Sequence, residues 1–183
     1  MLIRRETAAD IAAIRRVIAA AFTVARERGS VPGGPVPEGT LPVEAVLVDE
    51  LRADEGWLPA LSLVALAPGG DVVGHVVCSR ARVGAAPALG LGPLSVLPGH
   101  QGRGAGSALM HAVLGAAEAL GEPLVALLGA PGYYSRFGFE PAGRHGVIPP
   151  VAEWGPYFQV RVLGHTARPP RGEFTYAEPF SRV

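Results

Sequence analysis

Hydrophobic positions along this chain fall into blocks whose spacing switches between the two-residue period of strands and the 3.6-residue period of helices. Residues 2–5 read as a short strand. Thr7 and Asp10 carry the Thr-x-x-Asp spacing of a helix start, where hydroxyl and carboxylate satisfy free N–H groups. Ile11, Ile14, Ile18 and Phe22 then follow on one helical face. Residues 29–42, rich in Gly and Pro, predict an irregular loop. A second helix is expected from Pro42, with Val43, Leu47 and Leu51 along its buried side and Gly56 closing it. Strand spacing returns at 61–66 and 72–82, which flank the turn Pro68-Gly69-Gly70-Asp71, and a third run covers 89–97. Residues 107–120 are helical again, with Leu109, Val113, Ala117 and Leu120 facing inward. A strand at 124–128, a short helix at 133–137 and strands at 157–163 and 172–177 complete the series.

The strand–helix–strand crossover through 107–120 implies parallel pairing of the strands on either side of it, while the hairpin is antiparallel. The expectation is an α/β fold with a mixed sheet of about six to seven strands flanked by about four helices. With 183 residues and no internal repeat or linker, positions 1–183 read as a single domain.

The stretch from Leu94 to Ser107 carries the densest chemistry. An apolar run ends at Pro98-Gly99, and Gln101 is followed by glycines at 102, 104 and 106 before the helix. Glycines there remove the Cβ atoms that would block a ligand, so backbone N–H groups close around an anion. The helix adds its free N–H groups and the positive end of its dipole. Together these describe a pyrophosphate cradle. A P-loop is excluded, because Gly104 is followed by Ala105 and Gly106 instead of Lys and Ser or Thr. The dinucleotide fingerprint fails at its last position, which is Ser107.

What remains is Gln-x-x-Gly-x-Gly after a Val-x-Pro strand end, which resembles the acetyl-CoA loop of the GNAT superfamily of N-acetyltransferases. A second segment, Gly129-x-Pro131-x-Tyr133-Tyr134-x-Arg136-Phe137-Gly138-Phe139, is similar to a bacterial subgroup of N-acetyltransferases. So are Ile3-Arg4-x-Glu6-Thr7-x-x-Asp10, Val72-Val73-Gly74-His75-Val76, Leu91-Gly92-Pro93-Leu94 and the ending around Tyr157-Phe158-Gln159-Val160 and Gly172-Glu173-Phe174-x-Tyr176. The resemblance spans nearly the whole chain and is weakest over 27–42.

This resemblance implies acetyl-CoA as cosubstrate and direct transfer of the acetyl group to an amine in a ternary complex. Gln101, Gly102, Arg103, Gly104, Ala105, Gly106 and Ser107 would hold the pyrophosphate. Pro93 and its neighbouring glycines distort the preceding strand, since proline cannot donate to a ladder. Backbone groups of Leu94 and Val96, with Ser95 between them, are thereby left for the pantetheine arm, docked like an added strand. The Val96 N–H would polarise the thioester carbonyl. Tyr134 would be the general acid that protonates the departing thiolate. Arg136 reads either as a contact to a CoA phosphate or as a solvated helix residue, and Tyr133 as a core aromatic.

One departure from the family matters: residues 89–97 contain no carboxylate or His to act as general base. The base is either a residue acting through water or unnecessary because the amine arrives neutral; His75 and Glu50 are the first places to look. The competing expectation for His75 is a partly buried strand residue with both ring nitrogens satisfied. Ser95 lacks a nucleophile turn and Cys78 lies in an apolar strand, so no covalent step is expected. The five His residues are scattered, and no metal-ligand spacing is present. The rival readings are a CoA-binding or regulatory module that has lost catalysis and a nucleotide-binding module.

Composition narrows the partners. Sixteen basic and 16 acidic residues cancel, so no charge bias toward nucleic acid or anionic membrane exists. Every basic residue is Arg, which suggests a GC-rich genome. The single cysteine, Cys78, excludes an internal disulfide and fits a reducing cytoplasm. A start charged at Arg4, Arg5 and Glu6 offers no signal peptide, and no apolar run approaches the ~20 residues of a membrane span. The expectation is a soluble cytoplasmic enzyme acting on an amine acceptor, with a homodimer left open. The acceptor itself stays open between a small amine, an aminoglycoside-like drug, an amino acid and a protein N-terminus.

Overall fold

The computed structural model describes residues 1–27, 29, 40–164 and 168–182, so most of the loop expected at 29–42, and His165, lie outside the described residues. The strands are β1 (Leu2–Arg5), β2 (Ser62–Leu66), β3 (Val72–Val83), β4 (Ala86–Val96), β5 (Leu124–Leu128), β6 (Glu140–Pro141), β7 (Val147–Ile148), β8 (Phe158–Val162) and β9 (Gly172–Thr175). The helices are α1 (Ile11–Glu27), α2 (Val43–Ala53), α3 (Ala105–Ala119) and the single turn α4 (Pro131–Tyr134), which continues as a 3-10 turn over Ser135–Phe137. All seven expected strands are present. The two extra ones, β6 and β7, have two residues each, too short to leave a period in the sequence.

One sheet runs in the order β1-β2-β3-β4-β5-β8-β6, with β9 pairing β3 and, in parallel, β7. β1 to β4 form an antiparallel meander. The crossover through α3 makes β4 and β5 parallel, as the connection requires. Helices α1 and α2 cover one face, burying Ile14, Ile18, Ala45 and Val48 against Val64, Leu66 and Val77. On the other face α3 buries Leu109, Met110, Val113 and Leu114 against β-strand residues such as Val76, Cys78 and Leu89. Around β8 and β9 a third cluster gathers Phe158, Phe174, Trp154 and Tyr176.

Two inward positions are corrected. Val43 is 49% exposed, because it opens α2 before the helix meets the sheet, whereas Leu47 and Leu51 are buried. Leu120 is 54% exposed because α3 ends at Ala119 and Leu120 caps it. The helix also begins at Ala105, two residues before its expected start.

Candidate functional site

The site starts where β4 leaves β5. The two strands share only the pairs Leu89↔Val125 and Gly90↔Ala126. Beyond them β4 continues with β3, and β5 with β8 as far as Leu128↔Phe158. The parting coincides with a bulge, since Val76 faces Leu94 and Cys78 faces Leu91, which sets Gly92 and Pro93 together against Val77. A proline at that point has no N–H to offer either neighbour. Leu97 N–H donates to the Val73 carbonyl at 2.9 Å. Ladder alternation therefore turns the backbone of Ser95 toward β3 and the backbones of Leu94 and Val96 into the opening. The Val96 carbonyl accepts the Gln101 side-chain amide at 3.0 Å, which ties the loop to the mouth of the split. A cleft of about 370 Å³ lies here, walled by Leu91–Leu94 and Val96 on one side and Leu128, Gly129, Ala130, Tyr133 and Tyr134 on the other.

The glycine loop continues from the cleft. Gly102 (φ +70°) and Gly104 (φ +86°) occupy the left-handed region, where a Cβ is disfavoured, and Gly104 caps α3. Ala108 N–H donates to Gly104 at 2.9 Å, so the N–H groups of Ala105, Gly106 and Ser107 precede the first internal bond of the helix. A second cavity, about 380 Å³, is lined by Gln101, Gly102, Gly104, Gly106, Ser107, Tyr133 and Arg136, and shares Val96, Gln101 and Tyr133 with the cleft. Arg103 is exposed and outside this lining, and Ala105 is buried beneath it.

Tyr133 is not simply a core aromatic. Its ring packs on the core, but it also lines both cavities, the second together with Ser107. A Cβ on Gly106 would sit 2.8 Å from the Tyr133 phenol oxygen, so this glycine lets Tyr133 close on the helix start. The Arg136 guanidinium lies 4.9 Å over the Tyr133 ring, which holds a positive charge beside the cavity.

Tyr134 lines the cleft on the β5 side. Its ring lies against the Cα of Gly129, where any Cβ would collide with it. Gly129 is itself clamped: its N–H donates to Tyr157 (2.9 Å) and its carbonyl accepts the amide of buried Gln159 (2.9 Å). Burial pushes the Tyr134 phenol up to about 12, with the neighbouring Tyr133 adding to the shift. The hydroxyl thus keeps its proton at neutral pH.

The structure separates the two candidate bases from the cleft. His75 is fully buried in β3 and absent from the cleft wall. Its Nε2 lies 3.0 Å from Ser62 Oγ and 3.2 Å from a Glu6 carboxylate oxygen. Nδ1 has no partner, so the expectation of two satisfied nitrogens is corrected. His75 faces Ser95 across the ladder, and the Ser95 hydroxyl is also buried without a partner. Glu50 pairs with Arg182 at 3.4 Å on the surface. No Asp, Glu or His lines the cleft among the described residues. Cys78 is fully buried, and burial, with the Glu122 charge behind it, holds its thiol protonated.

A third cavity, about 250 Å³, adjoins the cleft and shares Phe22, Leu91, Gly92, Pro93 and Leu128 with it; Glu44, Leu47, Trp154, Tyr176 and Phe180 complete its wall. Sequence reasoning missed these residues, which come from α1, α2 and the C-terminal third. Three connected cavities thus lead from the glycine loop through the strand split to an aromatic chamber. Among the described residues no group of His, Cys, Asp and Glu is placed to hold a metal, and no helix is long and apolar enough to cross a membrane.

Residues 35–139, more than half of the chain, match the acetyltransferase (GNAT) family. The chain belongs to that family. It is 31% identical to a GNAT family N-acetyltransferase (YhbS) from Escherichia coli solved in complex with CoA, with a TM-score of 0.83 over 100% of this chain and 92% of that one. A GNAT family acetyltransferase from Brucella melitensis, solved in complex with acetyl-CoA, is 35% identical with a TM-score of 0.73 over 98% and 97% of the two chains. The uncharacterized N-acetyltransferase YjhQ of Escherichia coli K12 is 40% identical over 112 residues, 58% of this chain and 61% of that protein. The aligned part thus spans less than two thirds of that relative.

Proposed function

We propose that the protein transfers an acetyl group from acetyl-CoA directly to a primary amine. The observation that carries this reading is the parting of β4 from β5 beside the glycine loop, with Tyr134 on the opposite wall. The two solved relatives hold CoA and acetyl-CoA, and the same ligand class fits the features here. The N–H groups opening α3, with Arg136 nearby, suit a pyrophosphate. The backbone edge at Leu94 suits an amide of a pantetheine arm, while the Val96 carbonyl already accepts Gln101.

The thioester supplies an activated acyl carbonyl. The Val96 N–H is aimed into the split and donates to the carbonyl oxygen as negative charge develops there. The amine nitrogen forms the new C–N bond and the C–S bond breaks. Tyr134 gives its proton to the sulfur and regains one from solvent. The amine enters neutral and sheds its remaining extra proton to water, because the cleft wall offers no carboxylate or imidazole among the described residues. Cys78 and Ser95 take no part. A stable acetyl group trapped on either during turnover would contradict direct transfer.

The deciding experiment measures CoA thiol release from acetyl-CoA against a panel of amines, beside thermal shifts with acetyl-CoA, ATP and NAD. Stabilisation by acetyl-CoA alone, with amine-dependent thiol release, is the expected result. Stabilisation without release for any amine would favour the CoA-binding module, and stabilisation by ATP or NAD the nucleotide-binding module.

A further inference from the structure

The chamber next to the strand split has an unusual wall. Tyr176 stacks on Phe180 with ring centroids 4.4 Å apart, and meets Phe174 edge-on at 4.7 Å and Trp154 at 6.3 Å. Gly90 is the reason Tyr176 can lie there. A Cβ at position 90 would stand 2.6 Å from the Tyr176 ring, so the ring occupies the space that a side chain of β4 would otherwise take. Phe22 and Leu47 close the chamber from the helices. Among the described residues Glu44 is the sole carboxylate in the lining, and both its oxygens already accept Arg26, at 2.8 and 2.9 Å.

These observations select among amines. A polyamine would press additional ammonium groups against aromatic and aliphatic walls, where unpaired charge is strongly disfavoured. An aminoglycoside would leave hydroxyls without partners, and at about 250 Å³ the chamber falls below the range that holds drug-sized ligands. A single ring on a short arm fits the volume. Its apolar faces match Trp154, Tyr176 and Phe180. The wall shared with the cleft, Leu91, Pro93 and Leu128, would then lead the amino group to the split.

We infer that the acceptor is a small aromatic primary amine of the arylalkylamine class, its ring held in the chamber and its nitrogen directed at the split. This rests on the acetyl-transfer reading above. The test compares kcat/KM at saturating acetyl-CoA for phenethylamine, tryptamine, 1,4-diaminobutane and an aminoglycoside. In parallel, calorimetry follows phenethylamine binding to the CoA-loaded protein and to its Phe180→Ala variant. The aromatic amines should lead by roughly 10- to 200-fold, the discrimination that an apolar pocket gives. Phe180→Ala should weaken phenethylamine binding by roughly tenfold with CoA affinity unchanged. The wild-type ranking decides the matter if that variant does not fold. Preference for diaminobutane or the aminoglycoside would overturn the inference while leaving acetyl transfer standing, as would acetyl-CoA binding with no aromatic amine acetylated. Failure to bind acetyl-CoA at all would instead remove the underlying reading.

Discussion

Tyr134 and Gly129 form a pair in which one residue's missing side chain sets the other's position. Tyr134→Phe deletes one hydroxyl and keeps the ring on Gly129, so packing and acetyl-CoA affinity should hold. Transfer should slow by about 100- to 10,000-fold, the range for a lost general acid, with water replacing part of the function. The fall belongs to kcat more than to KM, because the bond to sulfur forms only as the thiolate leaves. A Phe variant with unchanged kcat, measured where chemistry limits the rate, would remove Tyr134 from the mechanism. Gly129→Ala tests the same hydroxyl without touching it. Its Cβ would force the Tyr134 ring out of place, so transfer should fall while CoA binding to the glycine loop, on the opposite side of the cleft, persists. Equal activity in the Ala variant would mean that the ring position is immaterial.

At the level of elements, the loop before α3 was legible because its turn is written in local backbone conformation. Gly102 and Gly104 take positive φ, and the helix start that follows needs no distant partner to be recognised. A Cβ at Gly104 meets nothing within 4 Å, so Val fits sterically there and projects into open space. The left-handed conformation should cost about 1–2 kcal/mol of stability. The CoA dissociation constant should rise by about tenfold or more, equivalent to at least ~1.4 kcal/mol of binding. Unchanged CoA affinity in folded Gly104→Val protein would dissociate the loop from the pyrophosphate. The strand split was legible for the same reason, since Gly92-Pro93 announces a bulge. The aromatic chamber was not, because its walls come from Phe22, Leu47, Trp154, Tyr176 and Phe180, positions that only the closed sheet brings together. Val43 and Leu120 misled for a related reason: helical spacing does not say where a helix stops touching the sheet.

Across the whole molecule, one buried polar network fastens the N-terminal elements to the sheet. Glu6, just past β1, accepts Arg52 of α2 at 2.7 Å and joins Ser62 of β2 and His75 of β3; Arg52 and Arg15 of α1 meet on Asp49. Glu6 and His75 are 69 residues apart, so no sequence window contains the pair. Burial keeps His75 neutral and, with the Arg52 charge, outweighs the pull of Glu6, leaving its pKa below the ordinary 6.5. Burial opposes the charge on Glu6, but the bonds from His75, Arg52 and Ser62 outweigh that cost and hold it at about 2, against 4.5 when exposed. Both shifts have the same sign: on acidification the unfolded chain takes up its proton first, so stability falls with pH. The His75 contribution should fade as pH drops below about 6.5, and the Glu6 contribution between about 4.5 and 2. Replacing His75 by Gln removes the first titration. The wild type should therefore lose more Tm between pH 7.5 and 5.5 than His75→Gln does, while both decline below pH 4.5. The two proteins share every other residue, so the comparison between them is the measurement that isolates His75. Parallel Tm curves across pH 7.5 to 5.5 would show that His75 is not held neutral by the fold.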